Sequence, residues 1–222
     1  MRARLPEEHP TEPPTGWKVA RPALSHDGAR AGFVGVSLGA ALPYGVLDAA
    51  HCAYGRRHRS PSRWCDCGFH CLHERAEAAG LLCATEYRGS VLLEVSVLGS
   101  FIRFERGFRY ARQRVRAATV GPCRCRRRAT ALADAGRGRP GWAALEPVCP
   151  LCLGGRVPVG LAEFARLAGQ GLRVAAEPVA EGDWAEPGGV PELVAEAALL
   201  QARLDWFQSR LGRLRGGHGQ GA

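Results

Sequence analysis

Lysine is almost missing from this chain: of 30 basic residues, only Lys18 is not arginine. Alanine and glycine are abundant as well, a pattern that GC-rich coding produces, so the overall arginine count does not by itself identify a partner. Large apolar anchors are also scarce. Aromatics make up 7% of the residues and there is one methionine, which predicts a modest core in which metal sites supply fixed points that packing would otherwise give. No hydrophobic run approaches the roughly 18 to 20 residues of a spanning helix, so none is expected. The stretch Met1 to Thr15 carries Pro6, Pro10, Pro13 and Pro14 among Glu7, Glu8 and Glu12, with no apolar segment, and does not read as a signal peptide. A reducing cytoplasm is the expected setting. There, nine cysteines in close pairs favour metal over disulfides.

What is present is a local concentration of charge. The net charge is +9 and the pI near 9.5. Between Arg103 and Arg128 ten arginines stand against one acid, Glu105, so this window carries +9 and everything outside it sums to zero. Such a segment suits an acidic partner: nucleic acid or an acidic protein surface.

The expected organisation is a disordered leader over 1–16, a zinc-binding domain over 17–188, a C-terminal helix over 189–216 and a flexible tail over 217–222. Trp17–Ala20 and Phe33–Leu38 flank Asp27-Gly28, which predicts a β-hairpin. The Cys- and His-rich stretch from His51 to Cys83 lacks periodicity and reads as irregular structure around ions. Alternation from Val91 to Leu98, then Phe101–Phe104 and Phe108–Val115, predicts two or three antiparallel strands whose arginines project from one or both faces of a small sheet. Ala129–Ala135 and Leu161–Ala168 are short helix candidates. The strongest helix starts near Pro191 and stops at Gly216-Gly217; its Leu193, Ala197, Leu200, Leu204, Phe207, Leu211 and Leu214 form a heptad-like seam. That seam serves either packing on the domain itself or a homodimer. The fold class that follows is α+β: a small antiparallel sheet organised by two structural zinc sites, with a C-terminal amphipathic helix.

Two cysteine constellations carry the chemistry. Cys123-x-Cys125 and Cys149-Pro-Leu-Cys152 followed by Gly154 supply two thiolate turns that close one tetrahedron, with Arg124, Arg126, Arg127 and Arg128 offsetting its negative charge. Cys52, His58, Cys65 and Cys67 form a second four-ligand set. His51, His70, Cys71, His73 and Cys83 lie close by, and Cys65, Cys67, Cys71 and His73 make an alternative. Both sets are closed, which is the pattern of structural rather than catalytic zinc. The segment Cys52–Gly68, with the later Glu105-Arg106-Gly107-Phe108-Arg109 turn, loosely resembles a group of uncharacterised actinobacterial Cys/His-rich zinc-binding proteins. The resemblance implies zinc; the group has no assigned activity, so it contributes no function.

Enzymatic patterns are weak. Gly35-x-Ser37-x-Gly39 matches a nucleophile elbow, but only a short chain precedes it, too little for the upstream βα units the elbow requires. His73-Glu74 and Pro147-Val-Cys149 each miss the spacing of zinc deaminases. The reading from sequence is a zinc-stabilised, non-enzymatic binding protein. Arg103, Arg106, Arg109, Tyr110, Arg112, Arg114, Arg116 and Arg126 are its candidate nucleic-acid contacts. A zinc-scaffolded protein adaptor is the alternative, and a serine hydrolase through Ser37 a minor one.

Overall fold

Asp27-Gly28 makes the first turn of the structure, a computed structural model that describes residues 11–36, 42–52, 54–177 and 190–216. Strands β1 (Thr15–Ser25) and β2 (Ala31–Gly35) pair antiparallel across it, with Leu24 opposite Ala31. Gly28 supplies the positive φ of 69° that the turn needs, and Asp27 Oδ1 accepts the Ala29 N–H at 3.0 Å. The expected hairpin therefore forms, and β1 starts at Thr15, inside the expected leader 1–16. Residues 1–10 of that leader, Ser37 and Gly39 of the elbow pattern, and the tail 217–222 lie outside the described residues.

Strands β5 (Val91–Phe104) and β6 (Gly107–Val120) form the longest hairpin, closed by Glu105-Arg106. Val91, Leu93, Val95 and Val97 all turn into the core, as their alternation predicts. The register slips twice, between Leu98 and Phe101 and between Glu94 and Val95. Gly99, with φ 71°, sits in the first bulge, and each bulge changes which residues of β6 face inward.

Four strands close on themselves. Strand β1 pairs with β5 from Thr15↔Ser96 to Ala20↔Val91, β5 pairs with β6, β6 pairs with β4 (Phe69–Leu72), and β4 returns to β1 at Trp17↔Leu72. This circuit leaves β4 laddered on both sides and encloses Cys71, Phe108 and Tyr110 with the valines of β5. Strand β3 (Leu47–Ala49) adds antiparallel to β6, and β10 (Arg173–Ala176) adds parallel to it. The far end of β1 continues into β8 (Trp142–Val148), then β7 (Ala131–Arg139), then β9 (Pro158–Gly160). The molecule is thus α+β and mostly antiparallel, as expected.

Two local expectations are overturned. The stretch Ala129–Ala135 is not a helix: Ala131, Leu132 and Ala133 are laddered on both sides, to β8 and to β9, and Leu132 is fully buried. Helix propensities of a few tenths of a kcal/mol per residue are smaller than what a two-sided ladder and full burial contribute. The His51–Cys83 segment is not irregular throughout, since it contains β4 and helix α1 (Arg75–Leu81).

Helix α2 (Leu161–Ala168) forms where expected and ends at Gly169, whose φ is 130°. Its Phe164 meets Phe33 edge-on at 5.7 Å between ring centres. Helix α3 (Val190–Gly216) also forms, but it packs through a different face from the seam. Ala195 and Leu199 pack with Val19, Ala84 and Tyr87 on the outer side of β1, and Glu196 Oε1 accepts the Thr85 N–H at 2.9 Å. Leu193, Leu200, Leu204 and Phe207 are exposed. Among the described residues no helix is long and apolar enough to cross a membrane.

The one lysine is turned inward. Lys18 Nζ lies 3.4 Å from Gln113 Oε1 and 4.8 and 4.9 Å from the ring centres of Tyr44 and Phe69. Loss of hydration pulls its pKa down to about 8, against a smaller opposing pull from Cys71.

Candidate metal centres

The first centre lies in the loop that leaves β3 and enters β4. Cys52, His58, Cys65 and Cys67 bring their ligand atoms within 4.8 Å of one another. Cys52 Sγ is 3.7 Å from Cys65 Sγ, and Cys67 Sγ is 3.8 Å from His58 Nε2. Four sulfurs about 2.3 Å from a central ion stand about 3.8 Å apart at tetrahedral angles, whereas a disulfide needs about 2.05 Å. These two separations match the edges of such a tetrahedron and not a disulfide. His58 Nδ1–H donates to Arg59 O at 3.0 Å, which leaves Nε2 with its lone pair free to ligate. The Ser60 hydroxyl donates to Cys67 Sγ at 3.3 Å.

A single guanidinium braces this loop from beneath. Arg109 on β6 is 7% exposed and donates from Nη1 to Cys65 O at 2.7 Å and from Nη2 to Ser62 O at 3.0 Å. Gly68 lets the chain cross over it: a Cβ there would come within 2.8 Å of Arg109 Cγ, and φ is 129°. The glycine of Cys-x-Cys-Gly is thereby explained.

The competing ligands go elsewhere. Cys71 lies on the inward side of β4, next to Gly16, where a Cβ would collide with its Sγ. Burial pushes its thiol up to about 11. His73 Nε2–H donates to Phe104 O at 3.0 Å, and its ring meets Phe108 edge-on. Cys83 packs beside the small core under α3. Cys65 and Cys67 therefore group with Cys52 and His58 and not with Cys71 and His73.

The second centre joins the turn after β6 to the turn after β8. Cys123, Cys125, Cys149 and Cys152 again lie with ligand atoms within 4.8 Å, and Cys125 Sγ is 3.5 Å from Cys149 Sγ. The two turns are closed by Arg126 N–H to Cys123 O at 2.7 Å and Cys152 N–H to Cys149 O at 3.1 Å. Arg126 has φ 68°, a conformation that costs a non-glycine residue about 1 kcal/mol or more and here shapes the turn. Cys123 and Cys149 are buried, while Cys125 and Cys152 reach the surface. A guanidinium serves this centre too. Arg156 donates to Glu146 Oε1 at 2.7 Å, Cys152 O at 2.9 Å and Asp134 O at 3.1 Å.

The electrostatics of four touching sulfurs point the same way. Desolvation works to raise Cys149, but the Cys152 N–H, contacts from Cys125 and Cys152, and the Leu151 N–H outweigh it and bring the thiol down to about 6. Cys152 is driven strongly the other way by Cys125, Cys123 and Cys149. Four thiolates in contact cannot all carry charge unless a cation sits among them. Both groups thus fit a divalent ion. Three thiolates with an imidazole in one set, and four thiolates in the other, leave no position open for substrate.

The candidate nucleic-acid contacts divide. Arg112, Arg114 and Arg116 are exposed and alternate with the fully buried Gln113 and Val115, and Arg116 Nε is bonded to Ser96 Oγ. Arg103 is exposed with its guanidinium 5.0 Å over Phe108, Arg106 is exposed and paired with Glu77 at 3.2 Å, and Arg126 is exposed on the second centre's turn. Arg109 and Tyr110 are corrected: Arg109 is the internal brace, and Tyr110 is fully buried with its hydroxyl on Gln113 Oε1 at 3.0 Å. Tyr110 faces the core, and its neighbour Arg109 leaves the opposite face of β6, where the metal loop covers it through Ser62 and Cys65. Sequence reasoning missed the two braces. Arg109 is 44 positions from Cys65 and carried no local signal, whereas Arg156, just past Gly154-Gly155, stood close enough to be noticed.

No family model matches the chain, and comparisons with curated proteins and with solved structures found no match.

Proposed function

We propose that this chain is a non-enzymatic binding protein whose two centres hold zinc and whose exposed arginines bind nucleic acid. The observation that carries the reading is the run Arg112, Arg114 and Arg116, three guanidinium groups on one face of a strand anchored between the two metal loops. Thiolate-rich, closed tetrahedral sets select zinc over magnesium, calcium or manganese, and their role is to fix loops. Bound zinc supplies charge neutralisation and cross-linking of the chain; the Arg109 and Arg156 guanidinium groups hold the ligating turns in place by their carbonyl oxygens. Such thiolates persist in a reducing compartment, in keeping with a cytoplasmic protein.

Electrophoretic binding to DNA and RNA at several salt concentrations tests the reading. Affinity is expected to fall as salt rises, and Arg112→Glu, Arg114→Glu and Arg116→Glu together to weaken binding and flatten that slope. Absence of binding at low salt, or binding indifferent to salt, would remove it. A second reading, self-association, is favoured by the exposed Leu193, Leu200, Leu204 and Phe207 of α3. Acids lie near the start of that helix and arginines near its end, so an antiparallel second copy places opposite charges side by side. Light scattering of wild type and Leu204→Glu decides between a dimer lost on substitution and a monomer throughout.

A further inference from the structure

We infer that the loop from Cys52 to Cys67 is a stacking platform for single-stranded nucleic acid, with Trp64 and Tyr54 taking bases and Arg56, Arg57, Arg59 and Arg63 taking phosphates. The inference rests on the nucleic-acid reading and gives it a different and more specific surface.

Trp64 is 81% exposed and Tyr54 48%. In a chain where aromatics are only 7% of residues, leaving an indole in water forgoes the burial it could have had, and a flat aromatic left open is suited to a flat ligand. The backbone behind the indole is held. Cys65 N–H donates to Ser62 O at 3.2 Å, Trp64 N–H donates to Ser62 Oγ at 3.3 Å, and Arg109 grips the carbonyls of both Ser62 and Cys65. Little backbone freedom is left to lose when a base stacks.

The charge around these rings has one sign. Arg56, Arg57, Arg59 and Arg63 are all exposed, and the one acid of the loop, Asp66, faces Arg109 at 3.7 Å. The Arg56 guanidinium lies 5.9 Å from the Tyr54 ring centre, so a cation already accompanies that aromatic face. Acidic protein would satisfy the arginines but has no reason to need the bare rings. Duplex DNA would satisfy the arginines too, yet its bases are already stacked on each other. A single strand offers phosphates and free base faces together, and it alone uses both features.

The test uses the zinc-loaded full chain, a fluorescein-labelled 20-nucleotide single strand, the duplex with its complement, and a poly-glutamate peptide. Trp64→Ala should weaken the single-strand complex about 5- to 100-fold, leave the salt slope and duplex affinity nearly unchanged, and keep two zinc per chain. Trp64→Phe should recover much of the loss. Unchanged single-strand affinity in Trp64→Ala overturns the inference, and if the triple Arg112, Arg114, Arg116 to Glu variant abolishes binding in the same assay, the broader reading stands without it. Failure of every oligonucleotide to bind removes both. Trp64-dependent capture of poly-glutamate in place of the oligonucleotide also overturns it, in favour of a protein ligand.

Discussion

Replacing Arg109 with methionine should loosen the first metal centre without touching a ligand. The substitution keeps much of the buried stem and removes a guanidinium that donates to Ser62 O and Cys65 O at 3.0 and 2.7 Å. Hydrogen bonds from a charged donor contribute about 1.5 to 3 kcal/mol each, so about 3 to 6 kcal/mol of restraint on the ligating turn is at stake. Part of that is recovered as the carbonyls find water. Groups that position metal ligands typically matter about 10- to 100-fold in metal affinity, and a loss of that size is expected here. The assay is stepwise zinc removal by a competing chelator from the reduced protein. One of two phases should move to weaker affinity and the other, from the Cys123 centre, should stay. Arg109→Lys should resemble Arg109→Met, because an ammonium lacks the fork that reaches two carbonyls. If both phases match wild type in Arg109→Met, the bracing role assigned to this residue is wrong.

Lys18→Met should alter the pH dependence of stability. The folded-state pKa of Lys18, about 8, lies below its ordinary 10.5, so the unfolded chain binds more protons between those values and stability rises with pH across that window. The Cys71 thiol, pushed up to about 11 from 9.0, acts oppositely above pH 9. The clean interval is pH 8 to 9, where Lys18 should add about 1 kcal/mol that the variant lacks; urea unfolding of zinc-loaded samples with identical slopes would refute this. Gly107→Ala should lower Tm by about 5 °C or more, since its Cβ would collide with the Cys71 carbonyl oxygen where β4 meets β6. Gly121→Ala, with open space around it, is the control; equal melting of the two would contradict the packing described.

Both ligand sets were legible because each contains local turns with a pair of thiols, Cys65/Cys67, Cys123/Cys125 and Cys149/Cys152, and bend chemistry survives whatever the rest of the chain does. The contest among Cys65, Cys67, Cys71 and His73 was settled by strand alternation in β4, which turns Cys71 inward, something the absence of visible periodicity concealed. The fate of Arg109 and Tyr110 was hidden because neither face of β6 is open there: Tyr110 joins the core, and a metal loop 44 to 47 positions away in sequence covers Arg109. The β7 strand was unreadable for another reason: Ala131–Asp134 has helix-forming residues, and its pairing with β8 across a hairpin and with the more distant β9 makes it extended. For α3 the seam of larger residues was plain, but the groove beside α1 accepts the smaller Ala195 and the neighbouring Leu199 instead.

The most direct measurement is the metal content of fully reduced, purified protein by native mass spectrometry, alone and with Cys149→Ser or Cys67→Ser. Two zinc ions per chain, one in each variant, and loss of cooperative folding under a strong chelator are the predicted results. A reduced chain that carries no metal and still unfolds cooperatively in chelator would contradict the account at its root.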